Sequence, residues 1–203
     1  VEPRAGVKWQ AGKRSTLALA YGLHSRMEKM DVYFVRTSTE DIPNKDLGFT
    51  KSHHLMFSYA LRIYENMNLR SEPYYQHLFD IPVETGSSFA VINRTDYYVE
   101  HALNNDGLGR NYGVDITLER YLARGFYYMA NASLFDSKYK GGDGIWRNTR
   151  YNRKYIFNFL IGKEWGMGRD RANTLSVNLK FAYQGGERYS PVDEAATLAH
   201  PDK

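Results

Sequence analysis

The chain has 203 residues, enough for a sizeable core, and no cysteine, which removes disulfides, thiolate metal sites and cysteine nucleophiles. Its net charge of +4 is scattered without an arginine- or lysine-rich stripe, so no nucleic-acid partner is expected. Tyrosine is abundant at 17 residues, yet mean hydropathy is −0.59 and no run suits a transmembrane helix; this excludes a helical membrane protein but not a β-barrel, whose strands dilute lipid-facing residues with polar ones.

Taken in chain order, period-two alternation recurs almost throughout. In residues 15–25, Leu17, Leu19, Tyr21 and Leu23 alternate with Thr16, Ala18, Ala20, Gly22 and His24. In 51–61, His53, Leu55, Phe57, Tyr59 and Leu61 oppose His54, Met56, Ser58 and Ala60. In 111–119, Tyr112, Val114, Ile116 and Leu118 oppose Asn111, Gly113, Asp115, Thr117 and Glu119. Later, Tyr155, Phe157, Phe159 and Ile161 oppose Lys154, Ile156, Asn158, Leu160 and Gly162. Finally Leu175, Val177, Leu179, Phe181 and Tyr183 oppose Ser176, Asn178, Lys180, Ala182 and Gln184. No amphipathic helix stands out.

Short turns are expected at 10–14, 64–68, 121–125 and 166–173, and long polar connections at 26–48, 80–108, 138–150 and after Gly186. Their strict alternation predicts about eight antiparallel strands arranged as four hairpins. An up-and-down transmembrane β-barrel with short periplasmic turns and long extracellular loops has this arrangement. The apolar faces carry no Asp, Glu, Arg or Lys at their central positions. An unpaired Arg or Lys facing lipid at mid-depth costs about 2–4 kcal/mol, so such a face suits lipid. Tyr112, Tyr121, Tyr151, Tyr155 and Tyr183 lie near strand ends, where a headgroup girdle would take them. The competing reading is a soluble, half-buried sheet whose tyrosines are simply good strand formers.

The runs "NKDLGFTKSHH" (44–54), "LRSEPYYQHLFDIPV" (69–83), "GRNYGVDITLERYL" (109–122), "ANASLFDSKYKGGDGIWRNTRYNRKYIFNFLIGKEW" (130–165) and "GGERYSPVD" (185–193) resemble the barrel of TonB-dependent outer-membrane receptors, especially those of Bacteroidetes bacteria. The resemblance implies a stretch of about eight strands from the later part of a larger barrel. A plug domain, the energy-coupling box, the closing aromatic-ended strand and a signal peptide are not recognised in these residues, so a fragment is expected. The family's function is active transport of a nutrient (glycan, peptide or metal chelate) across the outer membrane of a Gram-negative bacterium. Its implied partners are outer-membrane lipid, the plug of the same receptor, the TonB energy-transducing complex and a surface lipoprotein. The alternative is a stand-alone small barrel with a structural or adhesive role.

Enzymatic chemistry is not expected. No Ser-His-Asp spacing, phosphate-cradling loop or nucleophile elbow occurs. Asp115 and Glu119 sit at i and i+4 on a strand, about 13 Å apart, too far for the paired carboxylates of a glycosidase. Adjacent His53 and His54 point to opposite faces and cannot share a metal; His24 and His77 could approach one of them only through an unknown register. Neither metal nor cofactor is expected. The polar residues Asn111, Asp115, Glu119, Asn158 and Asn178 are expected to face the lumen or plug, with carboxylates paired to bases such as Arg70, Lys154 or Lys180, or to the plug. The loop "YKGGDGIWRNTRYNR" (139–153) offers a ligand-binding set in Tyr139, Asp143, Trp146 and Arg147, suited to stacking and hydrogen bonding with a sugar or peptide. The same residues also read as structural, with Trp146 anchoring the loop and Asp143 capping a turn.

Overall fold

Each alternating stretch forms a strand. The computed structural model describes residues 1–36, 41–94 and 99–188; the expected segment after 188 lies outside them. The strands are β1 (Arg4–Gln10), β2 (Ser15–Arg26), β3 (Thr50–Tyr64), β4 (Met67–Val83), β5 (Asn104–Ala123), β6 (Phe126–Lys140), β7 (Trp146–Asn148), β8 (Tyr155–Met167) and β9 (Asn173–Gln184). They make one antiparallel sheet in the order β1-β2-β3-β4-β5-β6-β8-β9, with β7 paired only to β6. This is the expected up-and-down series of eight strands in four hairpins, plus one short addition. Among the described residues the sheet does not close on itself.

The four tight turns lie where the sequence puts them. At the turn between β5 and β6, Arg124 (φ 54°) and Gly125 (φ 69°) both adopt left-handed conformations, as a two-residue type I′ hairpin requires. The long connections contain more regular structure than expected. Met30–Tyr33 forms a short helix, α1, and Val91–Asn93 a 3₁₀ turn. Both strands flanking connection 80–108 extend into it, pairing Ile81 with Gly107 and Val83 with Asn104 beyond a register shift. Gly107 makes this approach possible: a Cβ there would meet Val83 Cγ1 at 2.4 Å. The polar sequence of this segment therefore belongs to strands that rise beyond the rest of the wall.

Burial is concentrated at this loop end. Ile81, Val83, Ala90 and Tyr139 form one small core, and Val32, Val35 and Val99 another. The faces of the sheet itself are not core. Cross-strand partners share a face, so the register defines two faces. One carries Leu19, Leu55, Tyr75, Val114, Leu134, Phe157 and Tyr183; the other carries Ala20, Ser58, Glu72, Asp115, Ser133 and Asn158. Many side chains of the apolar face stay open to the surroundings: Leu19 is 45 % exposed, Leu55 47 %, Leu134 46 % and Leu179 63 %. No second sheet or helix packs over them among the described residues.

Candidate functional site

The polar face and the loops above it concentrate the hydrogen-bonding and charged groups. Register places Ser58, Glu72, Asp115 and Ser133 in one row across β3 to β6. Two rows toward the loops, Asn111 Nδ2 donates to Gln76 Oε1 (3.0 Å), Ser137 Oγ donates to Asn111 Oδ1 (2.7 Å), and Thr149 Oγ1 donates to Ser137 Oγ (2.8 Å). A cleft of about 460 Å³ lies over these rows, bordered by His54, Glu72, Tyr74, Asn111, Asp115 and Tyr151. Toward the tight turns, a second cleft of about 340 Å³ is bordered by Arg14, Arg62, Arg70, Thr117 and Glu119. A third, about 480 Å³, lies among the loops between Arg26, Glu28, Lys29, Val32, Arg94 and Tyr151. Tyr151 borders both the loop cleft and the upper wall cleft.

Asn111, Asp115, Glu119, Asn158 and Asn178 all fall on this face. Their environments differ. Asn178 accepts a hydrogen bond from the Tyr127 hydroxyl, and Glu119 pairs in register with Asn68. Asp115 stands directly opposite Glu72, an arrangement of like charges that is unfavourable without a counter-charge. Glu72 accepts from Ser58 Oγ (3.2 Å) and lies 3.5 Å from Arg70 Nε, whereas Asp115 accepts no hydrogen bond among the described residues. Of the bases expected to neutralise these carboxylates, only Arg70 does so. Lys154 bonds Asp136 instead, and Lys180 lies on β9 opposite Leu160, away from β4 and β5. Pairing depends on strand neighbours, which alternation does not specify.

The four loop candidates divide. Asp143 and Arg147 form a bidentate pair (2.9 and 2.7 Å), and the Ile145 amide donates to Asp143 Oδ1 (3.1 Å). The Arg147 guanidinium beside Asp143 holds its carboxyl below the usual carboxylate range, with the Ile145 amide adding to the effect. Tyr139, only 6 % exposed, belongs to the Ile81–Val83 cluster. Trp146 pairs in register with Lys140, and Arg147 with Tyr139, so Trp146 projects to the apolar-face side and Arg147 to the polar-face side. The Arg110 guanidinium covers the Trp146 ring at 4.5 Å.

The histidines also divide by face. His24 and His54 meet on the polar side with ring centroids 4.5 Å apart. His53, on the apolar side, bonds the Tyr21 hydroxyl (2.8 Å) and stacks on Phe79, with His77 opposite it in register. Among the described residues no three or more His, Asp or Glu gather as a metal site. The sequence placed Tyr151 near a strand end in the headgroup girdle, whereas it lies in the loop before β8 and borders two clefts. Sequence reasoning did not find Asn44 or the Asp136 cluster, the first because it acts through loop folding and the second because it depends on strand register; only the polar richness of 136–154 hinted at that cluster.

No protein-family model matches this sequence, and no curated protein is similar to it. Several solved structures are similar in fold. The alcaligin outer-membrane receptor FauA from Bordetella pertussis aligns over 90 % of this chain and 30 % of its own, at 15 % identity and TM-score 0.59. The FrpB iron transporter from Neisseria meningitidis (F3-3 variant) aligns over 90 % of this chain and 31 % of its own, at 11 % identity and TM-score 0.57. The ferric-catecholate import receptor Fiu from E. coli K12 aligns over 82 % and 22 %, at 10 % identity and TM-score 0.56. The chain thus spans less than a third of the length of these proteins. The likeness is one of fold, and the fold is that of a stretch of β-barrel wall.

Proposed function

We propose that the chain forms part of the barrel wall of a TonB-dependent outer-membrane receptor that imports a nutrient into a Gram-negative bacterium. The observation that carries this reading is the uncovered apolar face with charge confined to its two ends. On β5, Arg110 and Arg120 bound an uncharged stretch of that face. They are about 33 Å apart along the strand, or about 23 Å in height at a tilt of about 45°. That matches the apolar band of about 25 Å in outer-membrane barrels.

In this reading the tight turns are periplasmic and the packed loops extracellular. Asn111, Asp115, Glu119, Asn158 and Asn178 face the lumen, with its water and the plug of the same receptor, and the TonB complex acts on that plug. Ligand is captured at the loop end, where Tyr151 links the loop cleft to the wall cleft and the Asp143–Arg147 pair borders the outer surface. Trp146 and Tyr139 support that loop rather than contact ligand. The cargo is a glycan, a peptide or a metal chelate. Since the similar proteins are named for ferric-catecholate, alcaligin and iron transport, a ferric chelate is the first to assay. A surface lipoprotein would dock on the same loops.

The test compares two adjacent residues of opposite facing. In the intact receptor, Val114→Arg places a charge at mid-depth and is expected to block membrane assembly, at a cost of about 2–4 kcal/mol. Asp115→Ala is expected to insert normally. Equal behaviour of the two variants would overturn the facing.

A further inference from the structure

At the loop end of β5 and β6 the apolar face stops in a patch of positive charge that the wall reading leaves unused. Arg110 and Lys138 are Cα partners and so project side by side on this face. Lys140 pairs with Trp146, and the Arg110 guanidinium lies over the same indole, so both cations border one ring. Lys138 (3.2 Å) and Lys154 share a single carboxylate, Asp136, which also accepts from the Tyr112 hydroxyl (3.0 Å) and Asn152 Nδ2 (2.8 Å). Neither Arg110 nor Lys140 has a carboxylate partner among the described residues. The Arg110 Nε is itself buried and unbonded. Lys138 and Lys154 thus share one carboxylate that is already engaged, while Arg110 and Lys140 stand beside Trp146 without one.

Like charges held opposite one another repel, and an external anion relieves that repulsion. We propose that this patch binds the phosphate group of an anionic lipid in the outer leaflet, an inference that rests on the wall reading. A guanidinium donates two parallel hydrogen bonds to a phosphate, and the ammonium groups add point charge. Trp146 and Tyr112 flank the cations at the depth where amphipathic rings meet headgroups. Charge complementarity favours the lipid over a protein partner, because the patch continues directly from the apolar stripe of Val114, Leu134 and Phe157. At the other end of the same face Lys163 donates to the Arg124 carbonyl (3.1 Å). Arg120, which like Arg110 has a buried, unbonded Nε, lies over Phe126 (5.5 Å) with no second cation opposite it, its Cα partners being Met67 and Tyr128.

The experiment reconstitutes this chain within its whole receptor in phosphatidylcholine vesicles with and without a minor fraction of lipid A. The lipid A retained on extraction into detergent is read by native mass spectrometry. Each lost cation is expected to lower retention about five-fold, so Lys140→Gln gives that loss and Arg110→Gln with Lys140→Gln about 25-fold. Lys163→Gln removes the same charge from the far end and is expected to retain lipid A as the unaltered chain does. Undiminished retention by the double variant, or an equal loss in Lys163→Gln, overturns the site while leaving the wall reading intact. Failure of the whole receptor carrying the unaltered chain to insert into either vesicle overturns the wall reading and this inference with it.

Discussion

Gly162 and Tyr127 hold one strand junction together without any buried core. A Cβ at Gly162 would meet Tyr127 Cζ at 2.3 Å, so the absence of a side chain lets the Tyr127 ring lie across β8 and reach Asn178 on β9. Gly162→Ala is expected to cost about 1–3 kcal/mol in denaturant unfolding, the usual penalty of overpacking; an unchanged midpoint would mean that the ring has room to swing aside. The Asp143–Arg147 pair supports a second prediction. A depressed carboxylate contributes stability that is present above its unfolded pKa and lost as pH falls through its folded value. The Ile145 amide, which donates to Asp143, should therefore keep its chemical shift through neutral and mildly acid pH. It should move only below the usual Asp value of about 3.9. Asp143→Asn is expected to abolish that acid step; its persistence would assign it to another group. Neither arrangement is written in a local sequence pattern, because each joins residues brought together by register or by a loop.

Strands and loops differ in how far their sequences describe them. The apolar sides of β2, β3, β5, β8 and β9 follow from alternation alone, since successive side chains point to opposite faces whatever the neighbours are. The connections are organised instead by a few buried polar side chains. Asn44, fully buried, donates to the carbonyls of Val32 (3.0 Å) and His101 (2.9 Å) and accepts from the Leu103 amide (2.8 Å), tying two connections together. Arg94 bonds Asp31 (2.7 Å) between the same segments, and the Arg150 amide donates to Asn93 Oδ1 (2.7 Å) from a third. Asn44→Ala would leave those buried backbone groups unsatisfied, at about 1–3 kcal/mol for each. Faster limited proteolysis within connections 27–49 and 84–103, with the hairpins still protected, is the expected result. Uniform resistance would show that the small apolar clusters suffice.

At the scale of the whole molecule, the sheet presents two unlike surfaces and a loop layer that contains nearly all of its buried core. A soluble sheet of this kind would need a second layer over Leu19, Leu55, Leu134 and Leu179, and the described residues supply none. The Val114→Arg and Asp115→Ala comparison therefore tests the molecule as a whole, because it asks which surroundings each face is built for. The sequence by itself determined the hairpin series of about eight strands, the alternation of short and long connections and, for β2, β3, β5, β8 and β9, the two faces of each strand. Those properties are local, set by a period of two and by turn residues such as Arg124 and Gly125. Only the tertiary structure decided that Asp115 opposes Glu72, that His24 meets His54, that Trp146 and Arg147 point to opposite sides, and that Arg110 stands beside Lys138 without a carboxylate of its own. Those contacts depend on register shifts, strand extensions and loop packing, which bring together residues far apart in the chain and leave no period in the sequence.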